Sequence, residues 1–144
     1  MKIFYKALMS KFNALIAGAN NEFYTAIGGR LFQEEAPEGT IYPYAVFKHI
    51  NNNQIDTFKN KMDNIIIQFS IFSEKSSSTE IHDAMTHLKA LFDDCRLSIS
   101  NGSLIYFYRL NDGLQREKNE IVTESGIQRI WHFHCDYNVV FERS

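Results

Sequence analysis

Three side chains near the end of the chain have the types and spacing to hold a metal ion. His132, His134 and Asp136 occupy alternate positions of one stretch. An extended strand projects all three from a single face, about 7 Å apart from one to the next. Imidazole and carboxylate ligate zinc or iron, so the trio could serve a small metal-dependent enzyme. A complete site needs further ligands, and no other part of the sequence nominates them. The same alternation equally describes a solvated sheet face or a subunit contact. The other titratable groups are less suggestive. His82 and His87 fall about 140° apart around a helix and do not converge, and His49 ends a strand. Cys95 and Cys135 lack a recognisable nucleophile setting and read as small apolar fillers. Gly28-Gly29-Arg30 lacks the glycine spacing and the Lys-Ser/Thr ending of a phosphate loop, and it precedes a strand. No catalytic or cofactor-binding residue and no cofactor is assigned. A small-ligand or peptide-binding module with an aromatic cleft is a further reading.

Composition narrows the classes. At 144 residues, 44% hydrophobic and 22% charged, the chain is expected to fold as one domain, residues 1–144, with a substantial core. Its formal net charge of -2 argues against a protein that grips phosphate backbones, which carries a basic excess. No stretch is apolar for the 18–20 or so residues needed to span a bilayer. Lys11 and Asn13 interrupt the apolar stretch at the start, so Met1–Gly18 is not expected to act as a signal peptide. Two cysteines fit a reducing site of synthesis without a disulfide framework. Asn101-Gly102-Ser103 then reads as a turn rather than a glycosylation site.

The elements that would position these residues follow from periodicity. Phe4, Ala7, Leu8, Phe12, Leu15 and Ile16 share one helical stripe over residues 3–17, with Gly18 as the stop. Asn20-Asn21 opens a short helix or turn, which Gly28-Gly29 ends before a strand at Arg30-Leu31-Phe32. Residues 33–42 form a loop, and a strand follows Pro43. Asn51–Asn53 reads as a turn cluster, and the polar stretch 54–64 as the tip of a long hairpin. Residues 65–72 are expected to form a central strand. Ser77 and Glu80 match a capping box, opening a helix that ends at Asp93-Asp94. Arg96–Ile99 reads as a short strand leading through an Asn101-Gly102 turn into a strand over 104–110. Residues 111–126 read as a long mobile loop or a protruding hairpin. The last strand puts Trp131, Phe133, Cys135, Tyr137, Val139 and Phe141 on one face. It puts His132, His134, Asp136, Asn138, Val140 and Glu142 on the other. The fold class is therefore α+β: a single antiparallel sheet, or one mixed in order, with two main helices packed on it.

This order of elements resembles the tail-completion, or tail-terminator, proteins of long-tailed bacteriophages and prophages. The marks are the amphipathic first helix, Ile27-Gly28-Gly29-Arg30-Leu31-Phe32, the Ala36-Pro37-Glu38-Gly39 loop and Tyr42-Pro43-Tyr44-Ala45-Val46-Phe47. The strand Ile66–Ser73, the capped helix to Phe92 and the strand Trp131–Phe141 complete the set. The resemblance implies a non-enzymatic virion protein. It would form a ring, a hexamer by analogy, on the finished tail tube, end its polymerisation and provide the head-joining surface. Its implied partners are its own copies, the tail tube protein and a head-neck connector, with DNA only passing through the channel and no membrane. Its place would be the virion tail, assembled in the bacterial host cytoplasm. A neck or head-completion component, or a part of a contractile injection machine, is the neighbouring alternative. Two polar stretches, 51–64 and 111–126, are the expected subunit or tube contacts. Their candidate residues are Asn52, Asp56, Lys59 and Lys61 in the first, and Arg116, Lys118 and Glu120 in the second.

Overall fold

The computed structural model describes residues 2–14, 21–56, 61–123 and 126–143, with backbone only at 51–56, 117–123 and 126–129. In chain order come α1 (Lys2–Asn13), α2 (Glu22–Ala26), β1 (Leu31–Gln33), β2 (Tyr44–Asp56), β3 (Lys61–Ser73), α3 (Thr79–Phe92), β4 (Gly102–Thr123) and β5 (Gly126–Arg143). The five strands form one sheet in the order β1-β2-β3-β5-β4. Every neighbouring pair is antiparallel except β1 with β2. That parallel pair is joined by a loop and not by a crossover helix, so the sheet is mixed and the fold α+β. β3 is central, as its apolar run predicts.

One face of the sheet is buried under the helices. α1 contributes Phe4, Leu8 and Phe12, α3 contributes Ile81, Leu88 and Phe92, and all six are fully buried. They lie on Phe47, Phe69, Phe107, Tyr137 and Phe141, alternate inward residues of four strands. The rings interlock: Phe69 and Phe92 stack at 4.7 Å, Phe4 and Phe141 at 5.4 Å, and Phe107 meets Tyr137 at 5.0 Å. Such pairs contribute about 0.5–1.5 kcal/mol each beyond the area they bury.

Local chemistry sets the connections. Asn21 caps α2, its Oδ1 accepting from the Tyr24 amide at 3.0 Å, while its Nδ2 donates to the Phe12 carbonyl at the end of α1. One buried amide thus joins two helices. Gly28 and Gly29 have φ of 59° and 72°, a left-handed pair that reverses the chain from α2 into β1. Arg30 then donates through Nε to the Pro43 carbonyl at 3.0 Å, and its own carbonyl accepts from Ala45. The Gly-Gly-Arg and Pro-Tyr segments, distant in sequence, therefore meet where β1 joins β2.

Three local expectations are corrected, and one open alternative is decided. The run Asn51–Asn53 is strand, paired with Ile66, Ile65 and Asn64, because cross-strand partners outweigh the turn preference of asparagine. Arg96–Ile99 is not a strand. It runs beside the start of β4 across a groove, and Ile99 is buried in the core instead. Ser77 and Glu80 form no capping box. The N-cap of α3 is Ser78, whose side chain makes no capping bond, and Glu80 instead accepts from Ser73 Oγ at 2.5 Å. Residues 111–126 are not an open loop: β4 continues to Thr123 and pairs with β5 down to Thr123–Gly126. The other reading of that stretch, a hairpin, is the one realised. The expected extension of the first helix through Leu15 and Ile16 to Gly18 lies outside the described residues, as does Lys59.

Candidate assembly surfaces

The sheet face turned away from the helices holds the metal-ligand candidates. His132, His134 and Asp136 alternate along β5, as their spacing predicts, and each is half-buried. They do not converge: among the described residues no three His, Cys, Asp or Glu side chains stand close enough to hold one ion. Neighbours explain their positions. His132 stacks on Phe72 at 4.5 Å, and Phe72 packs on Tyr44 at 5.1 Å, an aromatic row crossing β5, β3 and β2. The ring of His134 lies where a Cβ at Gly113 would sit, 2.6 Å away. That close approach accounts for a glycine within β4. Further along, Asn138 donates to the hydroxyls of Tyr106 and Tyr108 at 3.3 and 3.2 Å.

The thiols are not poised for nucleophilic chemistry. Burial pushes both Cys95 and Cys135 up to about 12, so each stays protonated near neutral pH. Cys95 lines a groove of about 730 Å³ between residues 94–99 and the start of β4.

A charged clamp lies where α3 meets the edge of the sheet. Tyr137, whose ionisation is held above its ordinary range chiefly by burial, donates to Asp93 Oδ1 at 2.6 Å. Arg109 pairs with Asp93 at 3.5 Å and with Asp112 at 3.2 Å. Lys89 reaches Asp112 at 2.5 Å, and the lysine hydrogen bond is the main cause that lowers the Asp112 pKa. The clamp fastens the end of α3 to β4 and β5. Sequence reasoning missed it because its five members come from three separate elements and share no periodicity.

The polar stretches expected to make contacts sit at the two ends of the sheet. β3 begins at Lys61, opposite Arg143, so the Asp56–Lys61 end of the β2–β3 pair and the C-terminal end of β5 share one end. The Thr123–Gly126 end of the β4–β5 pair is at the other. There β3 stops at Ser73, opposite Trp131, while β4 and β5 run on as a two-stranded ribbon from Arg116–Trp131 to Thr123–Gly126. Arg116 anchors the ribbon's base: its guanidinium covers Trp131 at 4.9 Å and donates to the Ser76 carbonyl at 3.4 Å. Lys61 is exposed at the start of β3. Asn52, Asp56 and Lys118 fall on paired backbone and Glu120 in the irregular stretch of β4 between Lys118 and Val122; their side chains lie outside the described part.

The long sides of the sheet are largely unpaired, with residues 94–99 flanking the start of β4 across the groove. β1 covers only Ala45–Phe47 of β2, and β4 is the opposite outer strand. Among the described residues, no strand pairs with the outer side of β2 beyond Phe47 or with the outer side of β4. No described helix is long and apolar enough to cross a membrane.

Comparison with known proteins places this architecture. A family model described as "Tail completion protein gp17" matches residues 16–142. No curated protein matches the sequence. Among solved structures, a chain from the virion of a native gene transfer agent particle superposes with a TM-score of 0.64 at 11% identity, covering 96% of each chain. A second solved chain, 9% identical, gives a TM-score of 0.50 over 96% of this chain and 94% of its own. These two likenesses are of fold.

Proposed function

Because this chain belongs to the tail completion protein gp17 family, we propose that it is the structural protein that closes a phage-like tail. It forms a ring on the finished tube, stops its growth and offers the surface to which the head joins. The virion tail is then its place and the host cytoplasm its site of assembly. Its partners are its own copies, the tube protein and a head-neck connector.

The observation that carries this reading beyond membership is the layout of the sheet. The paired ends Asp56–Lys61 and Thr123–Gly126 lie at opposite ends of the sheet, and the outer edges on β2 and β4 lie on opposite sides. A ring needs two different patches on each subunit, one meeting the next copy's other patch. A ring that joins tube to head also needs two different axial ends. With the strands roughly along the ring axis, the long sides become the lateral patches and the hairpins the axial ones. The net charge of -2 suits a channel through which DNA slides without being held. No catalytic constellation competes with this role among the described residues.

The test is tail assembly. Loss of the chain is expected to leave overlong, headless tails, and tails of normal length that still join heads would overturn the reading. A sharper variant replaces residues 119–128 by Asn-Gly. Lys118 and Arg129 are register partners, so a two-residue turn closes the shortened hairpin and leaves the core and clamp intact. If the ribbon is an axial contact, this folded variant should fail to complete tails.

A further inference from the structure

Two of the three non-glycine residues with positive φ among the described residues, Asp94 at 52° and Asn101 at 55°, stand at the two ends of one short segment. Each is the third residue of a four-residue turn. Asp93, at φ -59° and ψ 121°, precedes Asp94, and the Cys95 amide donates to the Phe92 carbonyl at 3.2 Å. That is the pattern of a type II turn, whose third position favours glycine or asparagine over aspartate. The Ser100-Asn101 turn likewise has positive φ at its second central residue and not at its first. Paired hairpin strands take the mirror-image turns, and this sense splays the strands instead.

The segment between these turns, residues 95–99, has the side-chain pattern of a strand. Cys95, Leu97 and Ile99 pack on the core, while Arg96 and Ser98 are exposed. Yet among the described residues no backbone-to-backbone hydrogen bond joins residues 96–99 to any neighbour. Alongside runs the outer edge of β4, also unpaired. The two backbones approach at the turn, where Ile99 Cγ2 is 3.5 Å from the place of a Cβ on Gly102, and they line the groove of about 730 Å³. Folded chains pair nearly all their sheltered backbone groups, and a bare sheet edge is commonly covered.

The faces match in the register that a two-residue turn sets. With Ser100 and Asn101 central, Leu97 comes opposite Leu104 and Ser98 opposite Ser103. Leu97 and Leu104 both pack on the core, and Ser98 and Ser103 are both exposed. A slip of one residue would set leucine against serine.

We propose that residues 95–99 are a hinged strap that closes on the outer edge of β4 as a sixth strand, with Asp94 and Asn101 as its hinges. The base of the strap stays fixed in both states, because Asp93 is held by Tyr137 and Arg109. The two hinge residues absorb the change in backbone angles, and the alternation keeps Leu97 and Ile99 against the core throughout. Open, the strap leaves a groove beside β4. Closed, it finishes the edge of the sheet and shields it from stray pairing. The inference is independent of the tail-closing reading.

The experiment traps the closure in the full chain. Ser98→Cys/Ser103→Cys, in a Cys95→Ser background, puts two thiols on the exposed side at facing positions. Mild oxidation should link them within one chain, and the linked form should melt higher than its reduced form. No link, or a link that lowers the melting temperature, would overturn the proposal. Hydrogen exchange is the second measurement. The amides of residues 96–99 should exchange several-fold more slowly than in an unstructured peptide of the same sequence. Ser100→Asn/Asn101→Gly, which installs the turn that paired strands prefer, should slow them by about tenfold more. Exchange at the unstructured rate in both parent and variant would overturn the closure as well. Slow exchange that arises only in assembled particles would do the same and assign the groove to a strand of a partner.

Discussion

The helix-covered face of the sheet and the face turned away from it are built by alternate residues of the same strands, yet they follow different rules. Phe69 and Ser70, adjacent on β3, illustrate the contrast: the first is fully buried against Phe92, and the second is half-exposed opposite His134. The covered face is a continuous aromatic core in which Phe69, Phe92 and Phe107 each touch several other rings. The outer face is a mosaic, with one aromatic row at Tyr44, Phe72 and His132 and a polar tyrosine-asparagine cluster at the other end. Stability is concentrated on the first face.

The widest test of that contrast pairs two phenylalanines. Phe92→Ala removes a ring stacked on Phe69 and Phe107 and touching Phe23. It should cost about 3–5 kcal/mol, read as a lower denaturation midpoint. Phe72→Ala, on the outer face, should cost less than half as much because its site is already open to water on one side. Equal losses would break the distinction between the faces.

Tyr137→Phe probes the polar seam of the covered face. The variant keeps the ring against Phe69 and Phe107 and deletes only the hydroxyl that donates to Asp93. Asp93 retains Arg109, so no buried charge is stranded. The expected loss is about 1 kcal/mol. A loss near that of Phe92→Ala would mean that the clamp, and not the aromatic core, holds α3 to the sheet.

Acid titration separates the clamp further. The folded pKa of Asp112 is lowered, first by its hydrogen bond to Lys89. A depressed carboxylate adds stability that is fully present above its unfolded pKa, near 3.9. That increment is lost as pH falls through the folded value. The parent chain should therefore melt higher than Asp112→Asn at neutral pH, by an amount near 0.5 kcal/mol for so exposed a pair. The gap should close as the pH drops below about 4. A gap that persists in acid would assign the effect to packing.

The covered face was legible in the sequence and the edges were not, for a physical reason. A helix stripe such as Phe4, Ala7, Leu8 and Phe12, or the alternation from Trp131 to Phe141, is dictated by burial against one layer and appears in the order of residues. The bulges at Ile50, Ile105 and Leu110 depend on register between two strands, which neither strand records alone. Asparagine at 51–53 and the charged run at 116–118 have compositions typical of turns, and pairing with β3 and β5 made them strand. The histidine trio was placed on the correct face, but its separation as ligands was set by Phe72 and Gly113 on neighbouring strands.

The smallest expected effect concerns the start of α3, where sequence pattern and geometry part. A capping box at Ser77 and Glu80 would make Ser77→Ala cost about 1 kcal/mol. In the fold, the Ser77 hydroxyl accepts only a 3.3 Å bond from the Thr79 amide and meets the Thr79 hydroxyl at 3.0 Å, both exposed. Glu80 is turned toward Ser73 at the end of β3 and toward Lys75. Water replaces an exposed turn bond with little net change, so Ser77→Ala should cost no more than a few tenths of a kcal/mol. Ser73→Ala should cost more, because Ser73 is fully buried and its loss leaves the Glu80 carboxylate without that partner. Thermal melts of the two variants, side by side, give the order. A larger loss for Ser77 would restore the capping box and place the helix start one residue earlier, detached from the strand end that now holds it.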